Sequence, residues 1–354
     1  MKKFLAMLMA LVMILSLVAC GGTSDDGAAD DGEGAADGAG DGAAEGDYSD
    51  LQFGFLIPGS PTDGGFSQRC VEAAAYIEEQ FPGCSTSVVQ AATAEEIKQA
   101  GSEMADEGYT AVFGHGGQCS YPFSEICGDY PDVWFATMGG DCRDTNLFEI
   151  NMCFEQVCYV LGVAAALTSD TGVIAWQTGG DYASYTKTTN AYEMGAKSVN
   201  PDIEVLSQVL SAVDPTVGYE TALSQIDAGA SCVLSNSNEA QSGAVKACAE
   251  KGVYTAGCIG DFTDQAPDQV IMNMFCEYAP AYKAAVDAIL ADDVPQQLDV
   301  TPTSLPEALF WTWNDAVKAT LSEEDIATIE QAWEDVKSGA VHIPDEFEYA
   351  ASLA

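Results

Sequence analysis

The sequence predicts an α/β protein with two lobes, each built on a doubly wound, parallel sheet. Short apolar runs alternate with amphipathic stretches of 10 to 15 residues, the pattern of strands joined by crossover helices. This rhythm runs once from residue 51 and restarts after Ser169-Asp170-Thr171-Gly172. With 354 residues, 47% of them hydrophobic, the chain is also too long and too apolar for one small core.

In the first series, LQFGFLIPGS (51–60) reads as a strand and turn, SQRCVEAAAYIEEQF (67–81) as an amphipathic helix and CSTSVVQAAT (84–93) as a strand. AEEIKQAGSEMADEG (94–108) is a helix, YTAVFGHGG (109–117) a strand ending in glycines, and EQVCYVLGVAAALT (155–168) an apolar helix. The second series sets strands at TGVIAWQTGG (171–180), IEVLSQVL (203–210), SCVLSNSN (231–238), VYTAGCIGD (253–261) and DQVIMNMF (268–275). Helices SYTKTTNAYEMGAKSVN, PTVGYETALSQIDAG and EAQSGAVKACAEKG lie between them. The helix AYKAAVDAILADD, the segment PEALFWTW (306–313) and a closing helix EEDIATIEQAWEDVKSG complete the chain.

The ends have a different character. Residues 1–20 carry two lysines, then an apolar run, then Leu17-Val18-Ala19-Cys20, the order of a secretory signal. That ending resembles a bacterial lipobox, which makes Cys20 the expected lipidation site and residue 1 of an anchored mature chain, held by several acyl chains. Residues 23–50 hold ten acids, seven Gly, seven Ala and no base, so 21–50 is expected to be an acidic, disordered tether. The expected location is the extracytoplasmic face of the cell membrane.

Charge excludes some functions. There are 55 acids against 12 bases, a net of -43. Removing the ten acids of 23–50 and Lys2 and Lys3 leaves 45 against 10, or -35, so the folded part shares the excess. Nucleic acid would be repelled by such a field. Eleven cysteines follow Cys20; their odd number and apolar surroundings favour buried free thiols, and no metal-ligand spacing occurs. No GxSxG, GxxxxGK[ST] or HExxH sequence is present, so the expectation is a binding protein with neither catalytic residues nor a cofactor.

In open parallel sheets ligands bind beyond the carboxyl ends of strands. That rule selects Asp63, Phe66 and Ser67 after the first strand and His115, bracketed by glycines, after the third. In the second series it selects Trp176, Asn236, Asp261 and Asp264. Phe66 has room to stack on a flat ligand, and Asn and Asp suit ligands with hydroxyl or amide groups.

These segments, in order, resemble the basic membrane protein (BMP) family, lipoproteins that serve as substrate-binding components of ABC importers for purine nucleosides. The resemblance rests on PGSPTDGGFSQ, FGHGG, YPDVWFAT, YVLGVAAALT, TGVIAWQTGG followed by AYEMGAK, NPDIEV, DPTVGYETALSQIDAGA and AVKACAEKGVYTAG ending in TDQAP. It implies a type I periplasmic-binding-protein fold: an N-terminal lobe of 51–152 plus 276–305, a C-terminal lobe of 153–275 plus 306–345, and a three-segment hinge. It also implies that Asp63 and Phe66 contact a nucleoside, that Trp176 supplies a second aromatic, and that Asp261 or Asp264 takes ribose hydroxyls. The chain departs from the family at Ser67, where Asn is frequent, at 235–238, and in lacking a lysine within 274–277. The implied partners are a small solute, a permease with its cytoplasmic ATPase and the membrane, with the protein itself a monomer. A solute-sensing surface lipoprotein, for instance for a sugar, and a nucleoside-processing enzyme are the alternatives.

Overall fold

In the computed structural model, residues 47–62, 65–180 and 183–344 are described. The expected signal segment, Cys20, most of the expected tether and Asp63 lie outside them.

The chain opens with β1 (Gln52–Ile57), α1 (Phe66–Gln80), β2 (Ser85–Gln90), α2 (Ala94–Asp106) and β3 (Ala111–Gly114). It continues with α3 (Ser120–Ile126), β4 (Trp134–Met138) and β5 (Leu147–Met152). With β11 (Gln297–Val300) these strands make one parallel sheet in the order β11-β5-β4-β3-β1-β2. β1 is central and buried on both faces: Phe53, Phe55 and Ile57 enter one core, while Leu56 enters the other with Ile97 and Phe123. That is why QFGFLI reads as a continuous apolar run rather than an alternation.

A second sheet is assembled from α4 (Phe154–Thr168), β6 (Val173–Thr178), α5 (Ala183–Val199), β7 (Glu204–Val209), α6 (Pro215–Asp227) and β8 (Cys232–Asn236). There follow α7 (Ala240–Lys251), β9 (Thr255–Gly257), β10 (Val270–Cys276), α8 (Tyr278–Leu290), β11, β12 (Leu309–Trp313), α9 (Asp315–Lys318) and α10 (Glu323–Ser338). Strands β7-β6-β8 are parallel neighbours, as are β9 and β10, whereas β12 runs antiparallel to β10. A bridge between Cys232 and Tyr254 joins the two groups, with the Val233 N–H donating to the Tyr254 carbonyl at 2.9 Å.

Two strand readings change. VYTAGCIGD contains only the short β9, because Ile259 and Gly260 take positive φ (63° and 151°) and turn the chain. β11 had no sequence signal, since QLDV is brief and polar; it forms as an edge strand paired to β5 alone.

Local chemistry fixes the helix starts. Thr93 and Glu96 form a reciprocal capping box at α2, and Asp214 caps α6 with Pro215 in its first turn. Helices α4 and α5 cross at glycines. A Cβ at Gly162 would stand 2.0 Å from the Tyr192 carbonyl oxygen, and one at Gly195 equally close to that of Tyr159, so the backbones touch only because both residues lack side chains. Among the described residues no helix is long and apolar enough to cross a membrane.

All eleven cysteines after Cys20 are free, and all but Cys142 are buried. They act as small hydrophobes. Burial pushes the thiols of Cys70, Cys119, Cys248 and Cys258 up to about 12.

Candidate functional site

The chain passes between the sheets three times: between β5 and α4, between β10 and α8, and between β11 and β12. Backbone bonds tie these passages together. The Cys153 N–H donates to the Val300 carbonyl (3.0 Å) and the Glu277 N–H to that of Ala308 (2.8 Å). At the first passage Lys187 of α5 donates to the Asn151 side-chain carbonyl (2.8 Å) and pairs with Glu155 (3.1 Å), both charges being almost wholly buried. The Asn151 amide in turn donates to Asp299 of β11 at 2.8 Å. Burial alone would lower the Lys187 pKa, but the negative charge of Glu155 beside it, with a smaller contribution from Glu149, more than offsets it, and the ammonium is held above its ordinary value.

At the carboxyl ends of the first sheet, Phe66, Ser67 and His115 come together. The Ser67 hydroxyl, almost fully buried, accepts the Gly59 N–H at 3.1 Å and closes the loop after β1. Phe66 opens α1 and lies half-buried, its ring stacked on the His115 imidazole with centroids 3.8 Å apart and planes 24° from parallel. His115 is fully buried. One ring nitrogen, Nε2, lies 2.8 Å from the Phe66 carbonyl oxygen and the other, Nδ1, 2.8 Å from the Tyr282 hydroxyl. This differs from the expected direct ligand contact at His115, because both nitrogens are committed to the protein and the ring has no exposed edge.

Tyr278, the first residue of α8, stands edge-on to Phe66 (5.5 Å, 84°) and to His115 (4.9 Å, 86°). Its phenol is pushed well above the ordinary range by burial first, then by Cys276, with a smaller contribution from Tyr185 of α5. Neither tyrosine was selected from the sequence. Tyr278 sits two residues beyond the end of β10, within reach of the strand-end rule, but it lies between that strand and the expected helix AYKAAVDAILADD. Tyr185 had no signal apart from its place in the first turn of a helix that follows a strand.

The second sheet's strand ends are polar and engaged with each other. Ser235 Oγ lies 2.6 Å from Ser237 Oγ and donates to the Gln177 carbonyl oxygen (3.1 Å), and the Gln177 amide donates to Gln225 (3.0 Å). Asn236, 5% exposed, reaches the Thr188 hydroxyl at 3.5 Å. Asp261 is exposed and accepts from the Thr263 N–H (2.8 Å) and from the amide of buried Asn273 (3.1 Å). Asn273 also donates to Thr263 Oγ1 (2.9 Å) and accepts the Phe262 N–H (3.0 Å), so Asp261 belongs to a locked turn. Asp264 lies exposed in the same loop.

Trp176 requires a correction. Rather than presenting a face to the space between the lobes, it is completely buried and stacks on Tyr192 with centroids 4.6 Å apart. Its position inside β6 points the indole into the core beneath α4 and α5, and its Nε1 has no hydrogen-bond partner. The strand-end rule failed here because Trp176 precedes the end of β6 by two residues. Among the described residues no cluster of His, Cys, Asp or Glu is arranged to hold a metal ion.

Comparison with known proteins accounts for this architecture. Residues 51–297 match the Bmp family, described as ABC transporter substrate-binding protein PnrA-like. The chain is 26% identical over 250 residues to a purine-binding protein of Brucella abortus, covering 68% of this chain and 69% of that protein. It is 24% identical over 196 residues to a Haloferax volcanii protein named as an ABC transporter glucose-binding protein, covering 55% of this chain and half of the other. The structure of an ABC transporter solute-binding protein from Aeropyrum pernix superposes with a TM-score of 0.71 at 16% identity, over 85% of this chain and 96% of that one. The fold is the type I periplasmic-binding-protein fold, and the chain belongs to the Bmp family of ABC transporter substrate-binding proteins.

Proposed function

We propose that this protein binds a neutral purine nucleoside between its lobes and delivers it to an importer permease whose cytoplasmic ATPase supplies the energy. The observation that carries this reading is the partly exposed Phe66 ring, braced by His115 and Tyr278 at the first lobe's strand ends. A flat heteroaromatic ring gains stacking energy on such a surface. The similarity to a purine-binding relative supports the same ligand class. A net charge of -35 over residues 51–354 favours a nucleoside over a nucleotide, since few bases are free to compensate a phosphate.

In this reading residues 51–152 with 276–305 move as one lobe and 153–275 with 306–345 as the other, and ligand touching both shifts the population toward a closed form. Ser67, Asn236, Asp261, Asp264 and Asp63 are the polar contacts proposed for the sugar, Asp63 standing three residues before Phe66 in the sequence. Residues 1–20 act as a lipoprotein signal, Cys20 carries the lipid, and the tether to residue 50 gives a monomeric binder freedom above the membrane.

Calorimetry on protein lacking residues 1–50, with adenosine, guanosine, inosine, glucose and ribose, tests the proposal. Nucleoside binding tighter than ~100 µM is expected, within the ordinary range of specific small-molecule association. Binding of a simple sugar alone would replace the nucleoside reading with the sugar-binding one that the Haloferax relative's name favours.

A further inference from the structure

Phe66 stands where the chain has little means of its own to hold it. It begins α1 directly after a glycine-rich turn, and the helix N-cap is Gly65, which provides no side-chain cap. The ring and carbonyl of Phe66 are instead held from a different strand and a different helix. His115 follows β3 and Tyr282 lies in α8, which is 167 residues further along the chain from that histidine.

For a neutral imidazole the hydrogen-bond chemistry has one consistent arrangement. A carbonyl oxygen accepts only, so Nε2 of His115 must carry the proton it shares with Phe66. In the neutral ring Nδ1 is then the acceptor, and the Tyr282 hydroxyl donates to it. The same hydroxyl lies 4.0 Å from Cys70 Sγ of α1, which completes a buried line from α1 through α8 to the ligand loop. Burial, then Cys70, keeps the Tyr282 phenol protonated far beyond neutral pH, so the donor is always available.

We propose that His115 is a positioning residue for ligand binding: it fixes the carbonyl of Phe66 by a hydrogen bond and the ring of Phe66 by stacking, and Tyr282 fixes the tautomer that permits both. This rests on the reading that Phe66 stacks on the ligand. It assigns His115 a role through Phe66 rather than through direct contact, and it makes Tyr282, outside the strand-end loops, part of the binding apparatus. The energetic benefit is preorganisation, because an aromatic already immobilised in the free protein need not be ordered on binding.

Two substitutions separate positioning from packing. In His115→Gln the amide nitrogen reaches about as far as Nε2 and can still donate to the Phe66 carbonyl. In His115→Asn the side chain reaches only as far as Nδ1, keeping Tyr282 and losing Phe66. Calorimetry with adenosine and inosine is expected to show roughly a tenfold loss of affinity for H115N, the worth of about one good hydrogen bond, and recovery of most of it in H115Q. In a Phe66→Ala background H115N should add no further loss.

Hydrogen exchange of residues 58–70 in the ligand-free protein should rise in H115N and not in H115Q. Equal losses in both variants, or unchanged exchange in H115N, would overturn the proposal. If F66A binds adenosine as tightly as wild type, or no nucleoside binds at all, the stacking reading fails, and the exchange experiment still decides whether His115 holds the loop. Should H115N not fold, Tyr282→Phe is the second variant; it removes the Nδ1 partner and is expected to raise exchange in the same segment.

Discussion

The strand ends of the two lobes solve one problem in opposite ways. In the first lobe the exposed surface is an aromatic ring, and the polar groups beneath it serve to hold that ring: His115 on the Phe66 carbonyl, Ser67 on the Gly59 N–H. In the second lobe the large aromatic, Trp176, is withdrawn into the core against Tyr192, and the strand ends carry Ser235, Asn236, Ser237 and Asp261. Stacking tolerates many flat ligands, whereas hydrogen-bonded groups reject a ligand that leaves them unpaired. On the function proposed above, such a division has the first lobe capture and the second discriminate.

The largest predicted effect concerns a property that the lobes share. Buried thiols occur on both sides, with Cys70 and Cys119 in the first and Cys248 and Cys258 in the second all raised to about 12. The folded protein keeps these protons while the unfolded chain releases them near the ordinary thiol value of 9.0, so stability is intact below pH 9 and falls from there towards pH 12. Each thiol titrating only in the unfolded state costs about 1.4 kcal/mol per pH unit. Urea unfolding between pH 7 and 11 checks this; a midpoint that stays constant above pH 9 would contradict it.

Next in size is Trp176→Ala. Deleting a fully buried indole is expected to cost about 3–5 kcal/mol of stability, a loss a ligand-facing residue would not produce. Thermal unfolding provides the measurement. A small shift in Tm with a large loss of affinity would return Trp176 to the site and undo the contrast between the lobes.

Periodicity made the fold legible because crossover helices and central strands impose long, regular apolar patterns, as in β1, α4 and β6. It missed β11, whose four residues gain their conformation from pairing with β5 and not from their own pattern. At the site, the strand-end rule pointed to Phe66 and Ser67, which follow β1 across one connecting loop, and to His115, which directly follows β3. It could not see that His115 spends both nitrogens inside the protein, nor that Tyr282 would arrive from α8, since each depends on contacts between residues far apart in the chain. Trp176 shows the complementary error. It lies two residues inside β6, which is buried on both faces from Ile174 onward, so either face of the strand at that position meets the core rather than the space beyond the strand end.

Phe66→Ala is the direct test of the first lobe's role. Removing a stacking ring is expected to weaken an aromatic ligand by roughly 1–3 kcal/mol, measured by calorimetry, with little change in Tm because the ring is only half-buried. If a purine nucleoside and a simple sugar lose affinity equally, Phe66 is not reading aromaticity and the division between capture and discrimination collapses.

Ser67→Ala is the smallest effect and the sharpest. The hydroxyl accepts a single backbone N–H in a closed turn, so its loss should cost about 1 kcal/mol of stability, read from urea unfolding. Its consequence for binding depends on what Ser67 does. A residue that only closes the turn carries Phe66 with it, and affinity should fall for aromatic ligands while the preference among adenosine, guanosine and inosine stays the same. A change in that preference would instead make Ser67 itself a polar, discriminating contact to the ligand.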